Sequence, residues 1–186
     1  MRPFLALTEL AQQAVGEALG PGARAIDATV GNGHDTLFLA RKVAPQGQVI
    51  GFDIQAEALE GAHSRLVSSG LEPTATLLFC GHERMLEQVP KDWRGKVSAV
   101  MFNLGYLPGG DKTLTTSPAT TLSALDEALS LLRIGGLISL LVYRGHPGAK
   151  AEADAISAWL EQLDSIFRFS CHESPGPVLY LVERLA

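Results

Sequence analysis

Cysteine is scarce in this chain. The two present, Cys80 and Cys171, lie far apart and lack metal-ligand spacing, so the sequence predicts a reduced, intracellular protein and no disulfide scaffold. Long apolar runs are absent: no stretch reaches the roughly 20 residues of a bilayer-spanning helix. The opening MRPFLALTELAQQAV has one Arg and an apolar run that Glu and Gln interrupt before signal-peptide length. A cytoplasmic protein is the expectation. An excess of positive charge is also missing. The net charge is -5, so the overall field repels a polyanion at long range, which argues against sequence-independent nucleic-acid binding. A few placed Lys and Arg can still meet phosphates locally. Repeats, low-complexity segments and linkers are not seen, and 186 residues suit a single domain over 1–186.

What is present is an alternation. An amphipathic helix is predicted over Leu5–Leu19, about 4–20 at its widest, ending at Gly20-Pro21-Gly22. Apolar runs follow at Ala25–Ala28, Val49–Phe52, Thr76–Cys80, Val97–Phe102 and Leu137–Tyr143. Helix-like stretches lie between most of them, at His34–Val43, Ala56–Ser68, Thr120–Leu132 and Lys150–Leu163, with a short one near Glu83–Val89. Unbroken apolar strands alternating with helices imply a parallel sheet covered on both faces. Phe167–His172 and Val178–Glu183 flank Glu-Ser-Pro-Gly-Pro, the pattern of a closing antiparallel hairpin. The expected fold class is α/β: a doubly wound, mostly parallel, seven-stranded Rossmann-like sheet with a C-terminal antiparallel hairpin.

The loop after the first strand, AIDATVGNGHD, carries Gly31 and Gly33. It lacks the third glycine of a dinucleotide-binding loop: Thr36 stands there, and Asp27 and Asp35 flank the glycines. Acids suit a diphosphate poorly. They suit a ligand with a cationic end, such as the amino group and sulfonium of S-adenosylmethionine. The glycines can equally do no more than relieve strain in the turn. Asp53 ends the second strand, where an acid accepts hydrogen bonds from ribose hydroxyls, a feature common to NAD and S-adenosylmethionine. A capping Asp is the plain alternative. Glu83, after the third strand, is placed beside an adenine or serves as a first-turn acid. Asn32, Thr36, Ile54, Gln55, His82 and Asn103 complete the candidate cofactor set.

The segment FNLGYLPGGDKTLTTSPATT leaves the fourth strand. Ligands of such sheets bind beyond the carboxyl ends of the strands. Amine-directed methyltransferases carry an N-P-P-Y-type tetrapeptide at this point. There the Asn oxygen and a main-chain carbonyl accept the two N–H bonds of the amine. Asn103 and Tyr106 fit these roles, with Leu104 and Gly105 in place of the prolines. The long irregular loop that follows is of the kind that carries function. Its Lys112, Thr113, Thr115, Thr116 and Ser117 can meet substrate, although Ser117-Pro118 better fits a helix cap. After the fifth strand, YRGHPGAKAE offers His146 as proton acceptor or substrate contact and Arg144 as phosphate contact. A structural histidine is the alternative.

DATVGNGHDTLFLA, GFDIQ, GHE, FNLGYLPGGDKTLTT and YRGHPG together resemble the bacterial rRNA methylase-like family, over nearly the whole chain. Its members are understood as methyltransferases of the tRNA wobble uridine. They convert the 5-aminomethyl group of 5-aminomethyl-(2-thio)uridine at position 34 to 5-methylaminomethyl. The resemblance implies a class I methyltransferase fold, S-adenosylmethionine as donor, a tRNA anticodon loop as substrate and a homodimer. It sets the cofactor motif on Asp27, Gly31, Gly33 and Asp35, the ribose acid on Asp53 and the His-Glu pair on His82 and Glu83. The amine tetrapeptide falls on Asn103 to Tyr106 and the Gly-His pair on Gly145 and His146. Pro147 departs from the acid that often follows that histidine. The same cofactor with rRNA or a small amine is the alternative. A non-catalytic nucleotide-binding module is a remote one, and an NAD oxidoreductase is disfavoured by Asp35.

Overall fold

The computed structural model describes residues 6–105, 115–145 and 148–186. The expected elements are present with ends shifted by a few residues. In chain order they are α1 (Leu7–Ala18), β1 (Arg24–Asp27), α2 (His34–Val43), β2 (Gln48–Asp53), α3 (Ala56–Ser68) and β3 (Ala75–Phe79). A short helix α4 (Met85–Gln88) precedes β4 (Val97–Leu104), α5 (Pro118–Leu131), β5 (Leu132–Val142), α6 (Ala149–Glu161), β6 (Phe167–Glu173) and β7 (Val178–Arg184).

The strands form one sheet in the order β3-β2-β1-β4-β5-β7-β6. The first five are mutually parallel, and β7 runs antiparallel to both β5 and β6. This is the doubly wound sheet with a closing hairpin that the alternation implied. Its winding reverses between β1 and β4, so a crevice opens there at the carboxyl ends of the strands.

Both faces of the central strands are covered, which is why β1, β2, β4 and the second half of β5 read as unbroken apolar runs. Successive side chains of a strand point to opposite faces. Ile26, Ile50, Val100 and Phe102 pack with Leu125, Ala128, Ile156 and Leu160 from α5 and α6. Their neighbours Ala25, Val49, Ala99 and Met101 pack with Val15, Leu39, Val43 and Leu66 from α1, α2 and α3. Among the described residues, no helix is long and apolar enough to cross a membrane.

One boundary moved for a clear reason. β5 begins at Leu132 instead of Leu137, because Leu132 already pairs with Val97 before the register shifts. Gly136 makes the shift possible: a Cβ there would lie 2.8 Å from the Arg133 carbonyl and 2.9 Å from that of Val97. The expected short helix near Glu83–Val89 is a 3-10 turn, His82–Arg84, running into α4.

Candidate active site

The crevice holds a cavity of about 810 Å³. Its wall is drawn from the ends of β1, β2, β3, β4 and β5, and from α1 and the start of α5.

The glycine loop is organised from behind. Asp27 ends β1 and is fully buried. Its carboxyl accepts the Thr36 hydroxyl at 2.6 Å and the Thr29 amide at 3.2 Å. Asp27 and Thr36 therefore stand behind the wall and face each other, because burial demands partners for both. Burial first, and the charge of Asp35 second, raise the Asp27 carboxyl from 3.8 to about 7. Between those two values the folded protein holds a proton that the unfolded chain has released, so stability falls as pH rises through that window. We expect the unfolding free energy to drop by about 1.4 kcal/mol between roughly pH 6 and 8 from this group. Asp27→Asn should flatten that slope in urea titrations. An unchanged slope would dismiss Asp27 as its source.

Gly33 is in the left-handed region, with φ 74°, and a Cβ on it would fall 2.6 Å from Ala62 Cα in α3. Its bareness serves helix packing more than ligand approach. The Gly31 amide donates to the Asp53 carboxylate at 2.8 Å, and the Gly33 amide donates to the Val30 carbonyl at 2.8 Å. Two of the loop's amides are thus engaged within the protein and not free for a diphosphate. The other Asp53 oxygen accepts the Gln55 amide at 2.9 Å. Asp53, Ile54, Gln55, Gly31 and Asn32 all border the cavity.

His82 also borders it, 8% exposed. Its Nδ1 lies 3.1 Å from the Ala28 carbonyl. A carbonyl only accepts, so Nδ1 carries the proton and Nε2 is the acceptor. Burial lowers the ring's pKa and favours that neutral form. Glu83 folds back over Gly81. Among the described residues the wall carries three carboxylates, Asp35, Asp53 and Glu83, and no Lys or Arg. Such a site attracts cations and repels phosphates.

At the end of β4, the Asn103 backbone amide donates to the Thr29 hydroxyl at 2.7 Å. Its side-chain Nδ2 donates to one Asp35 oxygen at 2.5 Å, and the other Asp35 oxygen accepts Gln12 Nε2 from α1 at 2.7 Å. A carboxylate offers no proton, so the Asn103 nitrogen must face Asp35. Asn103 itself borders the cavity.

The far wall is Thr115, Thr116, Ser117 and Thr120. Ser117 caps α5, its hydroxyl accepting the Thr120 amide, with Pro118 first in the helix. Thr116 and Thr121 donate their hydroxyls to Glu152, an α6 acid that is 1% exposed. The Thr116 amide donates to the Gly105 carbonyl at 3.2 Å. Glu152 thereby ties the far wall to α6. Arg144 turns away, its guanidinium 3.6 Å from Glu173 on the hairpin. Tyr106, Lys112 and His146 lie outside the described residues.

Sequence reasoning missed Thr8, Gln12 and Tyr143 on the wall, and Glu152 behind it. Two signals were available. Thr8 and Gln12 stand four apart on a helix, hence on one face, and Tyr143 follows β5 at its carboxyl end.

A reversing parallel sheet with an antiparallel last strand, an acid ending β2 and a carboxylate-lined crevice define the class I methyltransferase fold. Residues 49–174 match the model of a family described as "Putative rRNA methylase", and the chain belongs to that family. It is 42% identical over 160 residues to the chloroplastic tRNA (mnm(5)s(2)U34)-methyltransferase of Arabidopsis thaliana, covering 82% of this chain. The chain spans 58% of the length of that relative. A "putative rRNA-methylase" from Clostridium thermocellum superposes with a TM-score of 0.91 at 34% identity, covering 96% of this chain and 97% of the other. A "putative methyltransferase" from Streptococcus mutans, solved in complex with SAH, gives 0.87 at 31% identity, with 98% and 99% covered. The fold and the family thus agree with the resemblance read from the motifs.

Proposed function

We propose that this protein transfers a methyl group from S-adenosylmethionine to the primary amine of 5-aminomethyl-(2-thio)uridine at tRNA position 34. The product is 5-methylaminomethyl-(2-thio)uridine. One observation carries the amine reading: Asp35 holds the Asn103 nitrogen, so the carboxamide oxygen is turned away from it and has no partner among the described residues.

The residues fit the cofactor. The carboxylate wall suits a ligand with ammonium and sulfonium charges and no phosphate. Asp53, with lone pairs left after its two amide bonds, would hold the ribose hydroxyls. Ile54 and the Gly81–Glu83 turn would flank the adenine. A cavity of about 810 Å³ is in the range that holds a cofactor and part of a substrate. When bound, the cofactor supplies an electrophilic methyl on sulfur.

The chain's own work is alignment. The Asn103 oxygen accepts one N–H of the amine. The Leu104 carbonyl already accepts the Tyr143 amide at 3.2 Å and keeps a second lone pair for the other N–H. With both N–H bonds held, the nitrogen lone pair is aimed along one line. The nitrogen would gain the methyl carbon, the breaking bond's electron pair would stay with the sulfur, and the nitrogen's surplus proton would pass by way of His146 to solvent. Such positioning is worth roughly 7–11 kcal/mol at best. Tyr106 as aromatic shield, His146 as proton acceptor, and Lys112 and Thr115 as substrate contacts belong to the same proposal; Arg144 would join them only by leaving Glu173. A single catalytic domain, a homodimer and a cytoplasmic site of action rest on the sequence reading and the family resemblance.

Nucleoside mass spectrometry tests the proposal. The protein is incubated with S-adenosylmethionine and tRNA whose wobble uridines stop at the aminomethyl stage. We expect that nucleoside to gain one methyl. Cofactor binding without any gain would reject the tRNA substrate, and parallel reactions with rRNA and small amines would show which class replaces it.

A further inference from the structure

The N-terminal helix reaches the reacting centre. Its apolar stripe, Ala11 and Val15, is buried against Leu39 and Val43. The Arg133 side chain donates to the Ala18 carbonyl at 3.0 Å and holds the other end of the helix. With that face fixed, the polar stripe of Thr8 and Gln12 is turned to the cavity. Gln12 then meets Asp35 from the side opposite Asn103.

We infer that Gln12 is a positioning residue that acts through Asp35 to set the Asn103 carboxamide. A carboxylate is planar, and here each oxygen has one carboxamide donor. The two bonds hold its plane from both ends. Loss of Gln12 frees one oxygen to solvent and lets the Asp35 side chain rotate. Asn103 can then turn its carboxamide over. Its NH2 would face the cavity, where it meets the N–H bonds of an amine donor to donor. Gln12 thus keeps an acceptor in the place where the substrate brings protons. Asn103's backbone needs no such help, since Thr29 already fixes it.

Two measurements separate this role from a merely structural one. The first is spectroscopic and independent of turnover. In nitrogen-15-labelled protein, the Asn103 side-chain amide signals are followed in wild type, Gln12→Ala and Gln12→Leu. The inference expects slow solvent exchange of the Asp35-bound proton in wild type and at least tenfold faster exchange in both variants, with the fold's backbone spectrum retained. Unchanged Asn103 amide signals would overturn it. The second is a kinetic cycle, which rests on the amine-transfer reading. Gln12→Ala should lower kcat about tenfold, with cofactor Kd within threefold. In an Asn103→Ala background the same change should cost less than twofold. Equal loss in both backgrounds would mean that Gln12 acts elsewhere and would overturn the relay. Failure of the wild type to methylate any amine would reject the reaction, while the amide exchange rates would still decide for or against the relay.

Discussion

Asn103→Ala should lower kcat about 100-fold, a loss expected when reacting groups are misplaced by roughly 1 Å, while cofactor affinity stays within a few-fold. The reason lies in what the side chain touches. Its nitrogen is spent on Asp35, and its backbone amide on Thr29. Among the described residues the oxygen has no partner, and in the proposed pose it would be the acceptor that meets the substrate amine. Truncation therefore removes one acceptor from the amine and leaves the walls contributed by Asp53 and the glycine loop intact. Asn103→Asp should be no rescue, although it restores an oxygen. It sets a second carboxylate against Asp35, and two such neighbours share one proton. Asp35 also loses its carboxamide donor, so the outward oxygen still accepts but is no longer held in one orientation. Stopped-flow or quench kinetics under single-turnover conditions, together with calorimetric cofactor titration, measure both numbers. A variant that turns over like wild type would remove Asn103 from the mechanism. A variant that fails to bind cofactor would make it a cofactor contact.

How much of this was legible beforehand differs between fold and site. The central strands were plain because they bury both faces: Ala25 and Ile26 belong to opposite halves of the core, yet both are apolar. Helix ends were plain where a cap marked them, as Ser117-Pro118 does for α5. The junction of α5 and β5 was not. Leu-Leu-Arg-Ile suits a helix or a strand equally, and only pairing with Val97 decides for the strand. In the site, Asp53 and Asn103 could be found because both stand at strand ends, where topology alone puts the crevice. Their partners could not. Gln12 meets Asp35 across 23 residues of chain; its spacing from Thr8 marks a shared helix face, but nothing in α1 names the residue that face meets. Glu152 looks like any first-turn acid until Thr116 and Thr121 are seen to close on it. Asp27 misled in the other direction. An acid before a glycine loop reads as a ligand contact, but the structure turns it inward to build the loop's back wall.

Asp53→Ala should weaken binding of S-adenosylmethionine and S-adenosylhomocysteine about 100-fold. Asp53 has two tasks that the substitution ends together. It ties the loop through the Gly31 amide and the turn into α3 through the Gln55 amide. In the proposed cofactor pose it would also offer its remaining lone pairs to the ribose. Hydrogen bonds to a charged group contribute roughly 1.5–3 kcal/mol each, so loss of the ribose contact with a loosened loop reaches the expected factor. Asp53→Asn divides the two tasks. Its single oxygen can keep one backbone amide, while its NH2 meets the other donor to donor. Its affinity should fall between wild type and Asp53→Ala. The sheet should not notice, because Asp53 lies at the strand's edge with the buried run Val49–Phe52 before it. The thermal midpoint without cofactor is therefore expected to stay within a few degrees of wild type. Calorimetric titration of all three proteins decides the matter. Equal affinities would strip Asp53 of the ribose role. A collapse of the midpoint in Asp53→Ala would show that its amide bonds hold up the fold as well as the site.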